Sequence, residues 1–130
     1  MASTPNFVAT PRYYRGRATA ANTARDGTGT IVDIVGTGSG ARKIDRIEIV
    51  AEGTTTAGMV RLYIWNGTDY RLWREVDVPA ITPSGTVDAF RAEVDLSFAG
   101  QIFVLESTHK LGFAPHNAET FIGHAWGGDF

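Results

Sequence analysis

The chain has 130 residues, 43% hydrophobic and 20% charged, enough for one ordinary domain that buries roughly two-thirds of its unfolded surface without a disulfide or metal staple. Cys is absent, which excludes thiol catalysis, thiol redox chemistry and Cys-ligated zinc. Twelve Lys and Arg against fourteen Asp and Glu leave a formal charge of −2, which speaks against a protein that coats nucleic acid with its whole surface.

Residues 1–17, MASTPNFVATPRYYRGR, keep no periodicity and are broken by Pro5 and Pro11. They lack the basic and apolar regions of a secretory signal. They read as an extended N-terminal arm ending in a basic, aromatic run: Arg12, Tyr13, Tyr14, Arg15 and Arg17. Such a segment is either a loose terminus or a clasp on a neighbouring subunit, with a phosphate backbone as a third partner.

From residue 18 to 130 the pattern is strand and turn. RATAAN gives a first strand and Asp26-Gly27 a turn. TIVDIV, 30–35, is a strand, GTGSG, 36–40, a loop, and RKIDRIEIVAE, 42–52, a half-buried strand with Ile47 and Ile49 inward. In MVRLYIW, Val60, Leu62 and Ile64 point one way and Arg61, Tyr63 and Trp65 the other. Asn66-Gly67 is a hairpin signal, and NGTD suits a four-residue loop as well. YRLWREVDV returns, with Leu72 on the core side and Trp73 opposite. Phe90, Val94 and, in QIFVLEST, Val104 complete the expected core. HKLGFAPHN, 109–117, reads as a loop, and AETFIGHAWGG, 118–128, as the last strand.

About eight strands without a helical period must bury their apolar faces against a second layer. The expected fold is therefore an all-β, two-sheet β-sandwich, jelly-roll or Greek-key-like, over residues 18–130, with a closed barrel as the alternative. No run approaches the roughly 18 consecutive apolar residues of a membrane span.

Motifs for chemistry are weak. GTGSG is followed by Ala41-Arg42-Lys43 and a strand, so it lacks the Gly-Lys-Ser/Thr ending and the helix that a phosphate loop needs. His109, His116 and His124 have no metal-binding helical spacing. His109 and His116 could approach across one loop with Glu106 or Glu119, but ordinary histidines account for them better. No serine sits in a nucleophile elbow, and Glu75 and Asp77 are as well explained by a solvated face. No catalytic residue, cofactor-binding residue or metal ligand is expected, and no cofactor.

The aromatic residues are more informative. Tyr63, Trp65 and Trp73 lie opposite the expected core side of their hairpin and need a cover: a neighbouring subunit, the arm, or a planar ligand such as a sugar. The candidate interface is thus Arg12, Tyr13, Tyr14, Arg15, Tyr63, Trp65 and Trp73.

Three segments, NTARDGTGTIVDIV, then RKIDRIEIVAEGTTTAGMVRLYIWNGTDYRLWREVDVPAITPSGTV, then HNAETFIGHAWGGDF, resemble a small structural protein encoded among tailed-phage and prophage virion genes. The irregular stretch after Leu96 departs from that pattern. The resemblance implies a virion component of decoration or tail-associated type, assembled in the bacterial host cytoplasm, and carries over no site residue. The expected function is non-enzymatic capsid decoration or stabilisation. The alternative is a carbohydrate- or receptor-binding module of a head or tail fibre. Expected partners are copies of the chain itself, with a trimer suggested by closed symmetry, and phage capsid or tail proteins; surface glycans belong to the alternative. Neither membrane nor nucleic acid is expected.

Overall fold

The computed structural model describes residues 8–96 and 103–130. Among them are nine strands and no helix: β1 (Thr10–Ala18), β2 (Val32–Val35), β3 (Arg42–Ala51), β4 (Gly58–Trp65), β5 (Tyr70–Val78), β6 (Arg91–Glu93), β7 (Phe103–Leu105), β8 (Lys110–Pro115) and β9 (Phe121–Asp129). They form two antiparallel sheets. The five-stranded sheet runs β1-β9-β3-β6, with β7 also paired to β3; the four-stranded sheet runs β2-β8-β4-β5. The pairs nest: β1 with β9, β2 with β8, β3 with β6 and β7, β4 with β5. One long hairpin rolled over on itself gives that nesting, so the fold is a jelly-roll-like β-sandwich, as the alternating pattern predicts.

The core lies between the sheets. Ile44, Ile47, Ile49, Phe121 and Ala125 from one meet Ile34, Val35, Val60, Leu62, Leu111 and Phe113 from the other. Gly123 belongs here because a side chain would strike Ile34, whose Cδ1 lies 2.5 Å from where its Cβ would be. Phe90 and Val94 are buried as expected.

Several local expectations fail for identifiable reasons. Residues 10–17 are not a free arm. Thr10–Ala18 pairs residue for residue with β9, from Thr10↔Asp129 to Ala18↔Phe121, so the domain boundary expected at residue 18 moves into the preceding segment. An edge strand can carry Pro and alternating Arg without an apolar rhythm, and its partner is supplied from the far end of the chain. Residues 1–7 lie outside the described residues, as do residues 97–102 of the expected 86–98 and 101–108 segments.

The β5 register breaks at Trp73. Leu62 pairs with Arg74 and Tyr63 with Leu72, so Trp73 is the extra residue of a bulge. A bulge exchanges the faces beyond it. Trp73 therefore packs against the core, edge-on to Phe103 at 4.9 Å between ring centroids, while Leu72 is 37% exposed. Val104 is also outside the core, because Phe103 and Leu105 take the inward positions of β7. The segment expected as a loop at 109–117 contains β8, the strand that joins β2 to β4. The turn after Trp65 is the four-residue form: Trp65 pairs with Tyr70, and the Asn66 Oδ1 accepts from the amides of Thr68 and Asp69.

Candidate interaction face

The outer faces of the two sheets are treated very differently. On the four-stranded sheet, Arg61 and Tyr63 project away from the core, yet they are 2% and 0% exposed. Their cover is the connector between β1 and β2, residues 19–31. The Tyr63 hydroxyl donates to the Ala24 carbonyl at 2.7 Å, and the Arg61 Nη1 donates to the Asn22 carbonyl at 3.2 Å. Asn22 pins the connector to itself and to β8. Its Nδ2 donates to the Thr28 and Thr30 carbonyls, its Oδ1 accepts from the Ala24 amide, and its own amide donates to the Pro115 carbonyl. Gly27 holds φ +88 and lies so close to the Tyr70 carbonyl that no side chain fits.

Charge under this roof is compensated. Glu75 Oε2 receives Arg61 Nε at 2.9 Å and Arg25 Nε at 2.7 Å. Those bonds, Arg25 first, hold the Glu75 carboxyl below the usual carboxylate range. Burial pushes the Tyr63 hydroxyl up. The His116 Nδ1 meets Arg61 at 3.2 Å. At the rim, Lys110 lies 4.7 Å from the Trp65 ring centroid and 5.3 Å from that of Tyr70, and Tyr70 donates to Asp33 at 2.6 Å. Tyr63, Trp65 and Trp73 are therefore covered within the chain: by the connector, by the Lys110–Tyr70 cluster and by the core, respectively.

The outer face of the five-stranded sheet has no such roof among the described residues. The register sets side chains on it in rows: Tyr13 beside Trp126 beside Arg46, Arg15 beside His124 beside Glu48, and Arg17 beside Ile122 beside Val50. Tyr13 is 48% exposed. Its hydroxyl lies 2.5 Å from the His124 Nδ1. The Tyr13, His124 and Trp126 rings lean on one another, with centroids 5.6–5.8 Å apart and planes within 18–32°. Arg46 covers the Trp126 ring at 5.1 Å. Most cations here have carboxylate partners: Arg17 with Glu52 at 3.0 Å, Arg46 with Glu48 at 2.6 Å, Lys43 with Asp45 at 2.9 Å, and Arg91 with Glu48 at 3.8 Å. Beside them runs a groove of about 470 Å³ lined by Tyr13, Arg15, Gly16, Arg17, Ile122 and His124.

Of the seven candidate interface residues, only Tyr13 and Arg15 meet on this open face. Arg12 and Tyr14 point the other way and line a smaller recess with residues 36–39, Arg42 and Asp129; Arg12 pairs with Asp129 at 3.1 Å. Arg42 explains the glycine-rich loop there. Buried at the start of β3, it donates to the carbonyls of Gly36, Glu106 (2.8 Å) and His109 (3.1 Å), and so ties the loop down. The Tyr14 hydroxyl and Arg42 Nε have no hydrogen-bond partner among the described residues, and both atoms are shut off from solvent.

His124 and Trp126 are the face residues that sequence reasoning missed. The readable signal is the alternation in FIGHAWGG, where Phe121, Gly123 and Ala125 are buried and Ile122, His124 and Trp126 less so. His109 and His116 flank β8 at its two ends, and among the described residues no three His, Asp or Glu gather as a metal set.

Fold and face together define a jelly-roll-like β-sandwich with one outer face roofed and, among the described residues, the other open. Searches against protein-family profiles, curated proteins and solved structures found no match.

Proposed function

We propose that the chain is a non-enzymatic structural component of a tailed-phage virion, a capsid decoration or stabilisation protein that docks through the outer face of its five-stranded sheet. The observation that carries the reading is the contrast between the two outer faces. One is sealed by the chain's own connector; the other offers Tyr13, His124, Trp126 and several arginines to the outside. Aromatic and Arg side chains on a rigid scaffold are the composition of protein–protein hot spots. The resemblance of residues 22–130 to virion proteins supplies the setting, with assembly in the bacterial host cytoplasm. A homo-oligomer, a trimer by closed symmetry, is part of the same proposal.

The alternative, a glycan- or receptor-binding module, draws on the same aromatic residues. Its difficulty is geometric. A sugar platform turns ring faces to solvent, whereas these rings turn faces to one another, and Arg46 lies over Trp126.

Two measurements test the proposal. Gradient-purified particles should contain the protein in fixed ratio to the major capsid protein, and Tyr13→Ala with Trp126→Ala should remove it from particles while the isolated domain stays folded. Absence from wild-type particles overturns the virion reading. Light scattering that finds only monomer at about tens of micromolar, where weak association would already populate oligomers, overturns self-assembly in solution.

A further inference from the structure

The groove between Tyr13 and Arg17 has a feature the rest of the face lacks. Arg15 makes no hydrogen bond or ion pair among the described residues, although Arg17, Arg46, Arg91 and Lys43 on the same face all do. It stands opposite His124 in the register, with Tyr13 and Arg17 two positions away on either side along the same strand. Those two walls are about 13 Å apart at the usual strand rise. Both are held: Tyr13 by its contact with His124 at 2.5 Å, and Arg17 by Glu52 at 3.0 Å. The floor is apolar at Ile122 and flat at Gly16. The groove therefore combines one uncompensated guanidinium with an apolar floor and pre-positioned walls.

We infer that this groove is a carboxylate-receiving site, in which Arg15 takes an Asp or Glu side chain of a partner protein while a neighbouring aliphatic side chain of that partner lies on Ile122 and the edge of the aromatic cluster. The charge pattern selects the partner. A planar guanidinium matches a carboxylate with two parallel bonds. Glu48 and Glu52 beside the groove oppose a polyanion such as nucleic acid, which would have to pass over both. A single carboxylate on Arg15 avoids them. The inference rests on the reading that this face docks protein, and it names the contact that docking uses.

The test is a titration of the full ¹⁵N-labelled chain followed through the arginine Nε–H signals and the Trp126 indole N–H. The probes are the blocked tripeptide acetyl-Leu-Glu-Leu-amide, its neutral Gln counterpart, methyl glucuronide and inorganic phosphate. The Glu peptide should give saturable shifts at Arg15 and Trp126. It should bind about tenfold or more tighter than the Gln peptide, the ratio expected of one charge-assisted pair. Arg15→Gln should abolish that preference with the melting temperature unchanged, and Arg15→Lys should keep only part of it. Equal binding of the Glu and Gln peptides, or a preference that survives Arg15→Gln, overturns the inference. So does tighter binding of glucuronide, which makes the groove a glycan site, or of phosphate, which makes it a general anion site. Particle composition is read separately. A protein that prefers the Glu peptide but is absent from virions keeps the carboxylate site and loses the virion setting, whereas a virion protein without the preference keeps the setting and loses the site.

Discussion

The connector-covered face of the four-stranded sheet and the open face of the five-stranded sheet carry similar side chains to opposite ends. Each has aromatic rings, arginines and a histidine on the side away from the core. Under the connector, every one of Arg61, Tyr63 and His116 is engaged by backbone carbonyls, a carboxylate or another side chain. On the open face, Tyr13, His124 and Trp126 mostly engage one another, and Arg15 engages nothing described. The difference teaches that an aromatic residue facing away from a sandwich core is not thereby available to a partner. What decides is whether some other segment of the chain has already closed over it.

Truncation at the centre of each face should separate the two most sharply. Tyr63→Ala removes a fully buried ring and its bond to the Ala24 carbonyl, and should cost about 3–5 kcal/mol in denaturant unfolding. Tyr13→Ala removes a half-exposed ring and should cost under about 1 kcal/mol. Similar losses at the two positions would mean that the faces are not distinguished in the way described. A second, smaller effect concerns the connector alone. Asn22→Ala leaves two carbonyls and one amide without their side-chain partner, and should cost about 1–3 kcal/mol. Hydrogen exchange should quicken across residues 19–31 and at β4, and remain unchanged at β1 and β9.

The smallest effect is one of acid. The folded Glu75 carboxyl lies below its ordinary value of 4.5, held there chiefly by Arg25. Above 4.5 the carboxyl is ionised in folded and unfolded chains alike, and its contribution is complete. As pH falls below 4.5 the unfolded chain takes up the proton first, so stability declines, and the contribution is gone once the pH passes below the folded pKa. Glu75→Gln should flatten that part of the stability–pH curve. Glu75 is partly solvated and Arg25 largely exposed, so screening keeps the effect small. An unchanged curve would show that the ion pairs beneath the connector add nothing to holding it.

Much of this architecture was legible from alternation. Ile47 and Ile49, then Val60 and Leu62, then Phe90 and Val94, recur at period two and all enter the core. The sandwich follows from such strands when no helix is present to cover them. Alternation cannot report an inserted residue, because a bulge changes the phase without changing composition. Leu72 and Trp73 therefore exchange faces, and the break between Ile44 and Arg46 lets Ile44 and Ile47 both point inward. Nor does it report long-range partners. The β1 segment reads as a free arm because its pairing depends on residues 121–129, and β8 reads as a loop because Gly112 and Pro115 look like breakers when seen alone. The candidate site was half legible for the same reason. Tyr13 and Arg15 stand out as a basic, aromatic run, whereas His124 and Trp126 join them only once the first and last strands are set side by side.

That pairing of β1 with β9 also orders events in time. β9 lies between β1 and β3, yet every other described strand precedes it along the chain. Until residues 121–129 leave the ribosome, β1 has no neighbour in its sheet, and one side of β3 stays unpaired. The five-stranded sheet therefore closes only once β9 has been made, by inserting that strand into a gap flanked by two edges. Topologies dominated by such distant contacts fold in about milliseconds to seconds rather than microseconds. Until then β1 carries two features that oppose edge-to-edge pairing, the missing amide of Pro11 and the like charges of Arg12, Arg15 and Arg17. The arginines of β1 thus have an earlier role as well, since before β9 arrives none of Arg12, Arg15 and Arg17 has its strand neighbour and their like charges set copies of this edge apart.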